Sequence, residues 1–208
     1  MASILYIIAN PKEEAKSFSL RTGRSFINEY KKQNPHDEIV EIDVYKRKIP
    51  FIDADILNGW DKLGKGAEFS SLDKAEQEKI AAINSIVEEF ISADKYVIVN
   101  PMWNFSLPPL LKAYIDCIVI ARKTFTFTEN GPVGLLKNKK ILHIQASGGI
   151  YSNSPNEHAD SYLKAILGLL GITDYNSVLL EGTNLFPERA DLILQNGKEQ
   201  AESMALDF

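Results

Sequence analysis

A three-layer α/β/α sandwich, with helices on both faces of a five-stranded parallel sheet, is the α/β fold the sequence predicts. Three observations lead there. Short apolar runs rich in Ile and Val recur along the chain, as strands covered on both faces require. Longer segments with apolar residues three and four apart lie between them. The alternation of the two forces parallel strands joined by crossover helices. Five strands favour the order 2-1-3-4-5 over the six-stranded dinucleotide-binding arrangement.

The strands are Ser3–Ala9, Glu38–Val44, Lys95–Asn100, Lys140–Ala146 and Ser177–Glu181. The second alternates Ile39, Glu41 and Asp43 against Val40, Ile42 and Val44, which suits a sheet edge. Leu20 to Lys32 reads as the first helix, carrying Phe26, Ile27 and Tyr30. Asp73 to Phe90 places Ile80, Ile83, Ile86, Val87 and Phe90 on one stripe, with Asp73 and Glu76 at capping-box spacing. Pro108 and Pro109 open a helix towards Arg122, since a first turn has no use for their missing N–H groups. His158 to Leu170 ends at Gly171, and Pro187 opens a last helix towards Ala205. Tyr45 to Ser70 reads as a long irregular stretch, functional or interfacial. Gly59 to Gly66 within it, GWDKLGKG, nearly matches a phosphate loop but lacks the final Ser or Thr and a preceding strand, so it reads as a plain loop. No linker or repeat interrupts the chain, and residues 1–208 read as a single domain.

Composition narrows the class. The 208 residues are 45% hydrophobic and 25% charged with net charge -5, so no basic bias points to nucleic acid. One cysteine, Cys117, cannot form an intrachain disulfide, and three scattered histidines suggest no metal centre. With no membrane-length apolar run and no signal-peptide pattern, a cytoplasmic protein is expected. Cys117 and His143 read as core residues, and His36 and His158 as surface residues.

For the order 2-1-3-4-5, ligands bind beyond the strand ends between strands one and three. Three loops meet there. Asn10 to Ser19 leads into a helix, where Ser17 and Ser19 would greet an anion with hydroxyls and free N–H groups; the same serines would serve as ordinary caps. Met102, Trp103, Asn104 and Phe105 put large apolar groups and one amide directly after a buried strand, over a flat ligand or as a lid on the core. Ser147 to Ser152 carries Gly148 and Gly149, which permit close backbone approach or simply a tight turn. Together these describe a phosphate grip beside a slot for a flat ring with polar edges.

PMWNFSLPPLLKAYID, then ARKTFTFTENGPVGLL, then IQASGGIYS, resemble the FMN-dependent NADH:azoreductases, also called NADH:quinone oxidoreductases, of the flavodoxin-like group that includes DT-diaphorase. The likeness covers nearly the whole chain and is densest from Asn100 to Ser152. It implies a flavodoxin-like fold and a cytoplasmic homodimer with one FMN per subunit and active sites near the interface. By matching position it implies that Ser17, Phe18 and Ser19, with Asn10, hold the FMN phosphate. Met102, Trp103, Asn104 and Phe105 would run along the ribityl chain and ring, and Ser147, Gly148, Gly149 and Ile150 along the ring's polar edge. Many relatives have Ser where this chain has Asn10, and Asn retains a donor. The resemblance implies ping-pong transfer of two electrons from NADH or NADPH through FMN to a quinone or azo compound. No catalytic acid or base is assigned, because the flavin carries the chemistry. Phe105, Phe125, Phe127 and Tyr151 are candidate walls of the acceptor pocket; Phe125 and Phe127 serve equally well as core. A flavodoxin-type electron carrier is the alternative, though NPKEEAKSFS is not the Thr/Ser-rich loop that class uses. A receiver domain is excluded by Ala9-Asn10, where it needs an acidic pair.

Overall fold

In the computed structural model, which describes residues 1–208, five parallel strands form one sheet. They are β1 (Ser3–Ile8), β2 (Glu38–Asp43), β3 (Lys95–Pro101), β6 (Lys140–Ala146) and β7 (Asp174–Leu180), in the spatial order β2-β1-β3-β6-β7. This is the expected 2-1-3-4-5 order, with two short extra strands in the numbering. The register pairs Ile4 with Ile39, Ile98 with His143 and Asn100 with Gln145.

Because successive strand residues point to opposite faces, β1 feeds two cores at once. Leu5 and Ile7 join Ile98, Phe90, Tyr114 and Leu163 under α3 (Lys74–Ser92), α4 (Pro109–Ile118) and α5 (Ala159–Leu170). Ile4 and Tyr6 join Val97, Ile144, Phe26 and Leu194 under α1 (Phe18–Gln33) and α6 (Ala190–Ala205). The β2 strand lies at the edge, as its alternation predicts. Pro109 opens α4, and Gly171, at φ 99°, closes α5 in the left-handed conformation that glycine adopts without strain. No helix is long and apolar enough to cross a membrane.

The structure corrects the sequence reading in four places. Tyr45–Ser70 is not irregular throughout: α2 (Ala54–Gly64) lies within it, capped by Asp53, which accepts from Ile56 N at 3.2 Å. Gly59 of the supposed loop is helical, and a Cβ there would meet Ile80 Cδ1 at 2.5 Å, so glycine lets α2 lie close on α3. Lys62 of α2 grips buried Glu76 of α3 at 2.8 and 2.9 Å. Secondly, Phe125–Thr128 and Gly131–Gly134 pair as an antiparallel hairpin, β4 and β5. Thirdly, α4 stops at Ile118, short of Arg122, because Thr124 Oγ1 donates to Ile118 O and accepts from Ile120 N. Finally, β7 starts at Asp174, three residues early, its first half alternating exposed Asp174 and Asn176 with half-buried Tyr175 and Ser177 at the sheet's other edge.

Candidate functional site

The expected cleft opens at the carboxyl ends of β1, β3 and β6, with a volume of about 230 Å³. It is lined by Asn10, Ser17 and Phe18 on one side, Met102 and Trp103 on another, and Ser147 and Gly148 on a third.

Asn10 follows β1 and is buried, as are Ser17 and Ser19. Its Oδ1 accepts from Lys12 N at 3.0 Å, which turns Nδ2 towards Ser17 Oγ at 2.8 Å and Ser19 Oγ at 3.5 Å. The two hydroxyls lie 3.3 Å apart. Ser17 is the N-cap of α1 and accepts from Leu20 N at 3.3 Å. Amide, hydroxyls and the first free N–H groups of α1 therefore converge where the helix end is positive, as an anion requires. Replacing Ser17 with alanine is expected to lower the stability of the flavin-free protein by about 1 kcal/mol through loss of the cap, read by urea denaturation.

The second loop is a two-residue turn. Trp103 and Ser106 exchange both backbone hydrogen bonds at 2.9 Å, and Asn104 (φ 50°) and Phe105 (φ 66°) between them are both left-handed, as a type I′ turn demands. Phe105 in that conformation is strained. It is held because His158 N donates to its carbonyl at 3.1 Å and its ring meets Tyr151 edge-on at 5.5 Å. The amides of Asn104 and Phe105 have no acceptor within the chain.

In the third loop, Ser147 O accepts from Thr183 N, Gly148 O from Asn184 N and Leu185 N, and Gly149 O from Gly182 N. With every carbonyl turned towards residues 182–185, the amides of Gly148, Gly149 and Ile150 are left without acceptors in the chain. A Cβ on Gly148 would meet Asn184 Nδ2 at 2.8 Å. Glu181 accepts from Tyr151 N at 2.6 Å and Ser152 N at 2.8 Å, fixing the aromatic rim.

The structure thus brings Asn10, Ser17, Phe18, Met102, Trp103, Ser147 and Gly148 together as the lining of one cleft, with Ser19 hydrogen-bonded to Asn10 and Asn104, Phe105, Gly149, Ile150 and Tyr151 on the loops that carry that lining. It does not bring Phe125 and Phe127 there. They lie on the β4–β5 hairpin, rings edge-to-face at 5.3 Å, beside a separate groove of about 870 Å³ with Ile52, Trp60 and Leu63. Phe125 is buried in the core, whereas Phe127 is 71% exposed. The sequence reading missed Glu181, Thr183 and Asn184, although the strand order itself places the loop after the last strand beside the diglycine loop. Cys117 is buried and donates to Pro50 O, and burial pushes its thiol up to about 11, so it is no nucleophile.

A donor-rich cradle at a helix start, with aromatic walls, fits a phosphorylated flat ring. Comparison with known proteins agrees. A family described by its flavodoxin-like fold matches residues 2–205. The FMN-dependent NADH:quinone oxidoreductase of Bacillus pumilus is 48% identical over 211 residues, covering all of both chains. The azoreductase AzrA superposes with a TM-score of 0.93 at 37% identity over the full length of both chains. An FMN-dependent NADH-azoreductase from Bacillus anthracis, solved in complex with FMN, gives a TM-score of 0.92 at 40% identity, covering 99% of this chain and 98% of that one. With its sheet order, its cleft and these full-length likenesses, the chain belongs to the flavodoxin-like family of FMN-dependent NADH:quinone oxidoreductases and azoreductases.

Proposed function

We propose that this chain is a homodimeric oxidoreductase that binds FMN in the cleft between β1 and β3. The observation that carries the reading is the set of unpaired amides at Asn104, Phe105, Gly148, Gly149 and Ile150, on the two loops whose Trp103 and Gly148 line the cleft together with Ser17. When bound, FMN would supply hydride acceptance from NADH or NADPH and, in a separate ping-pong half-reaction, two-electron delivery to a quinone, or to an azo compound that takes two such rounds to be cleaved to aromatic amines.

The chain's own residues bind, orient and stabilise. Asn10, Ser17, Phe18 and Ser19 hold the phosphate by hydroxyl, amide and helix-end donors. Met102, Trp103, Asn104 and Phe105 hold the ribityl chain and one side of the ring. Backbone N–H groups of Gly148 and Gly149 favour negative charge at the ring's polar edge, and no side-chain acid or base is needed. Phe105 and Tyr151 shape the mouth through which the acceptor enters. The exposed apolar side chains Ile52 and Phe127 beside the hairpin groove support pairing with a second copy there, with the sites near the interface. Phe125 and Phe127 then serve the acceptor pocket through that interface rather than within one chain.

The test is a visible spectrum of the purified protein with stoichiometric FMN, followed by NADH without oxygen. Bands that bleach and return on adding a quinone or an azo dye are expected, with the protein sedimenting at twice the chain mass. Bands that form but never bleach would point to the electron carrier instead. An unperturbed flavin spectrum would overturn the cofactor assignment.

A further inference from the structure

The chain buries a titratable cluster that the proposed function leaves unused. His143, in the middle of β6, is fully buried. Its Nδ1 lies 2.7 Å from Asp160 Oδ1 in the first turn of α5, and its Nε2 lies 2.8 Å from Asn100 Oδ1 near the end of β3. Tyr175 of β7 donates to the same Asp160 oxygen at 2.7 Å and sits 3.1 Å from Nδ1. Burial pushes the Asp160 carboxyl upward, but its contact with His143 and the hydrogen bond from Tyr175 outweigh it and hold the group below the usual carboxylate range.

The far end of this chain of bonds reaches the cleft. Asn100 is fully buried, and its Nδ2 donates to Pro101 O at 3.0 Å and lies 3.5 Å from Gln145 Oε1. With Nδ2 committed to two carbonyl acceptors, Oδ1 faces His143, and Nε2 must carry the hydrogen between them. Pro101 and Met102 line the cleft, and Met102 N donates to Ala146 O at 2.8 Å. The Pro101–Met102 peptide is thus held at its carbonyl by Asn100 and at its amide by β6. Were Asn100 to flip, its Oδ1 would oppose Pro101 O, two acceptors face to face.

We propose that His143, steadied by Asp160 and Tyr175, is a positioning residue for the flavin site: it locks the Asn100 amide, which sets the Pro101–Met102 peptide at the entry of the cleft loop. The proposal rests on that cleft being the FMN site.

Two substitutions separate positioning from packing. His143→Gln carries an amide donor near the place of Nε2 and still reaches Asn100, whereas His143→Asn carries one near Nδ1 and reaches only Asp160. Both delete the imidazole, and Asn also fills less of the core, so the local exchange of the Met102 amide rather than global stability separates the relay from packing. In flavin-free protein titrated with FMN, His143→Asn is expected to bind roughly tenfold more weakly, about the worth of one buried hydrogen bond. Its Met102 amide is also expected to exchange with solvent faster before any flavin is added. His143→Gln is expected to restore both properties to within about twofold of wild type. Equal affinity and equal Met102 exchange in wild type and His143→Asn would overturn the relay. Should His143→Asn fail to fold, Asn100→Asp keeps an acceptor for His143 and removes the donor to Pro101 O. Faster Met102 exchange is expected there, and unchanged exchange overturns the relay. Failure of the wild type to bind FMN would sink the cofactor reading instead, leaving the Met102 comparison to decide this one.

Discussion

Exchanging Asn10 for aspartate is expected to weaken FMN binding by about 100-fold or more while leaving the fold at least as stable. The two side chains have one shape. Aspartate keeps the acceptor for Lys12 N and accepts from the Ser17 and Ser19 hydroxyls, which Asn10 now meets with its Nδ2. The start of α1 favours a negative charge, so the carboxylate is well placed in the flavin-free protein. For a phosphate the sign reverses. A carboxylate about 5 Å from each phosphate charge costs about 3 kcal/mol at an effective dielectric near 20, and 1.4 kcal/mol is a factor of ten in affinity. A melting curve without flavin and an FMN titration at neutral pH read the two effects separately. Equal affinities in the two proteins would remove Asn10 from the phosphate grip.

Adding one methyl group far from the cleft should cost the most stability. Gly134, the last residue of β5, packs on the end of α5, and a Cβ there would lie 2.1 Å from Gly171 N and 2.2 Å from the Leu170 carbonyl carbon. Those are backbone atoms and cannot swing aside. Nearby, Leu136 N donates to Leu170 O at 2.9 Å, so relief requires lifting the hairpin from the helix. Gly134→Ala is expected to cost about 3 kcal/mol, the upper end for overpacking. In urea this appears as a lower midpoint at unchanged slope. A wild-type midpoint would show that the hairpin is free to shift.

The sheet was legible because most of its strands are apolar runs between helices, with the alternation of β2 marking an edge, and the switch between strands one and three then located the cleft. The residues gathered there were legible for a different reason: Ser17, Asn104 and Gly148 sit in loops directly after buried strands. What escaped were short elements broken up by glycine. In α2 the apolar residues Ile56, Trp60 and Leu63 do fall four and three apart, but the helix is 11 residues long and carries Gly59 and Gly64, which read as loop. The hairpin strands are four residues each, and β5 is GPVG, a poor strand by composition and held by pairing with β4 and by its contact with α5. The positions of Phe125 and Phe127 followed from that hairpin and were unreadable without it. The His143 network needed three strands and a helix to be placed before its bonds existed at all.

The two open edges of the sheet bear on how copies of this chain keep from aggregating. The β2 edge carries Glu38, Glu41 and Asp43, and β7 at the other carries Asp174. A neighbour adding its own strand to either edge would have to seat its backbone among these charged side chains, Glu41 and Asp43 being already paired with Arg24 and Lys46. Self-association by sheet extension, the route to fibres, is thereby disfavoured at both ends. Pairing at the hairpin groove, as proposed above, would leave both edges unused, and a two-fold contact of that kind closes on itself instead of propagating.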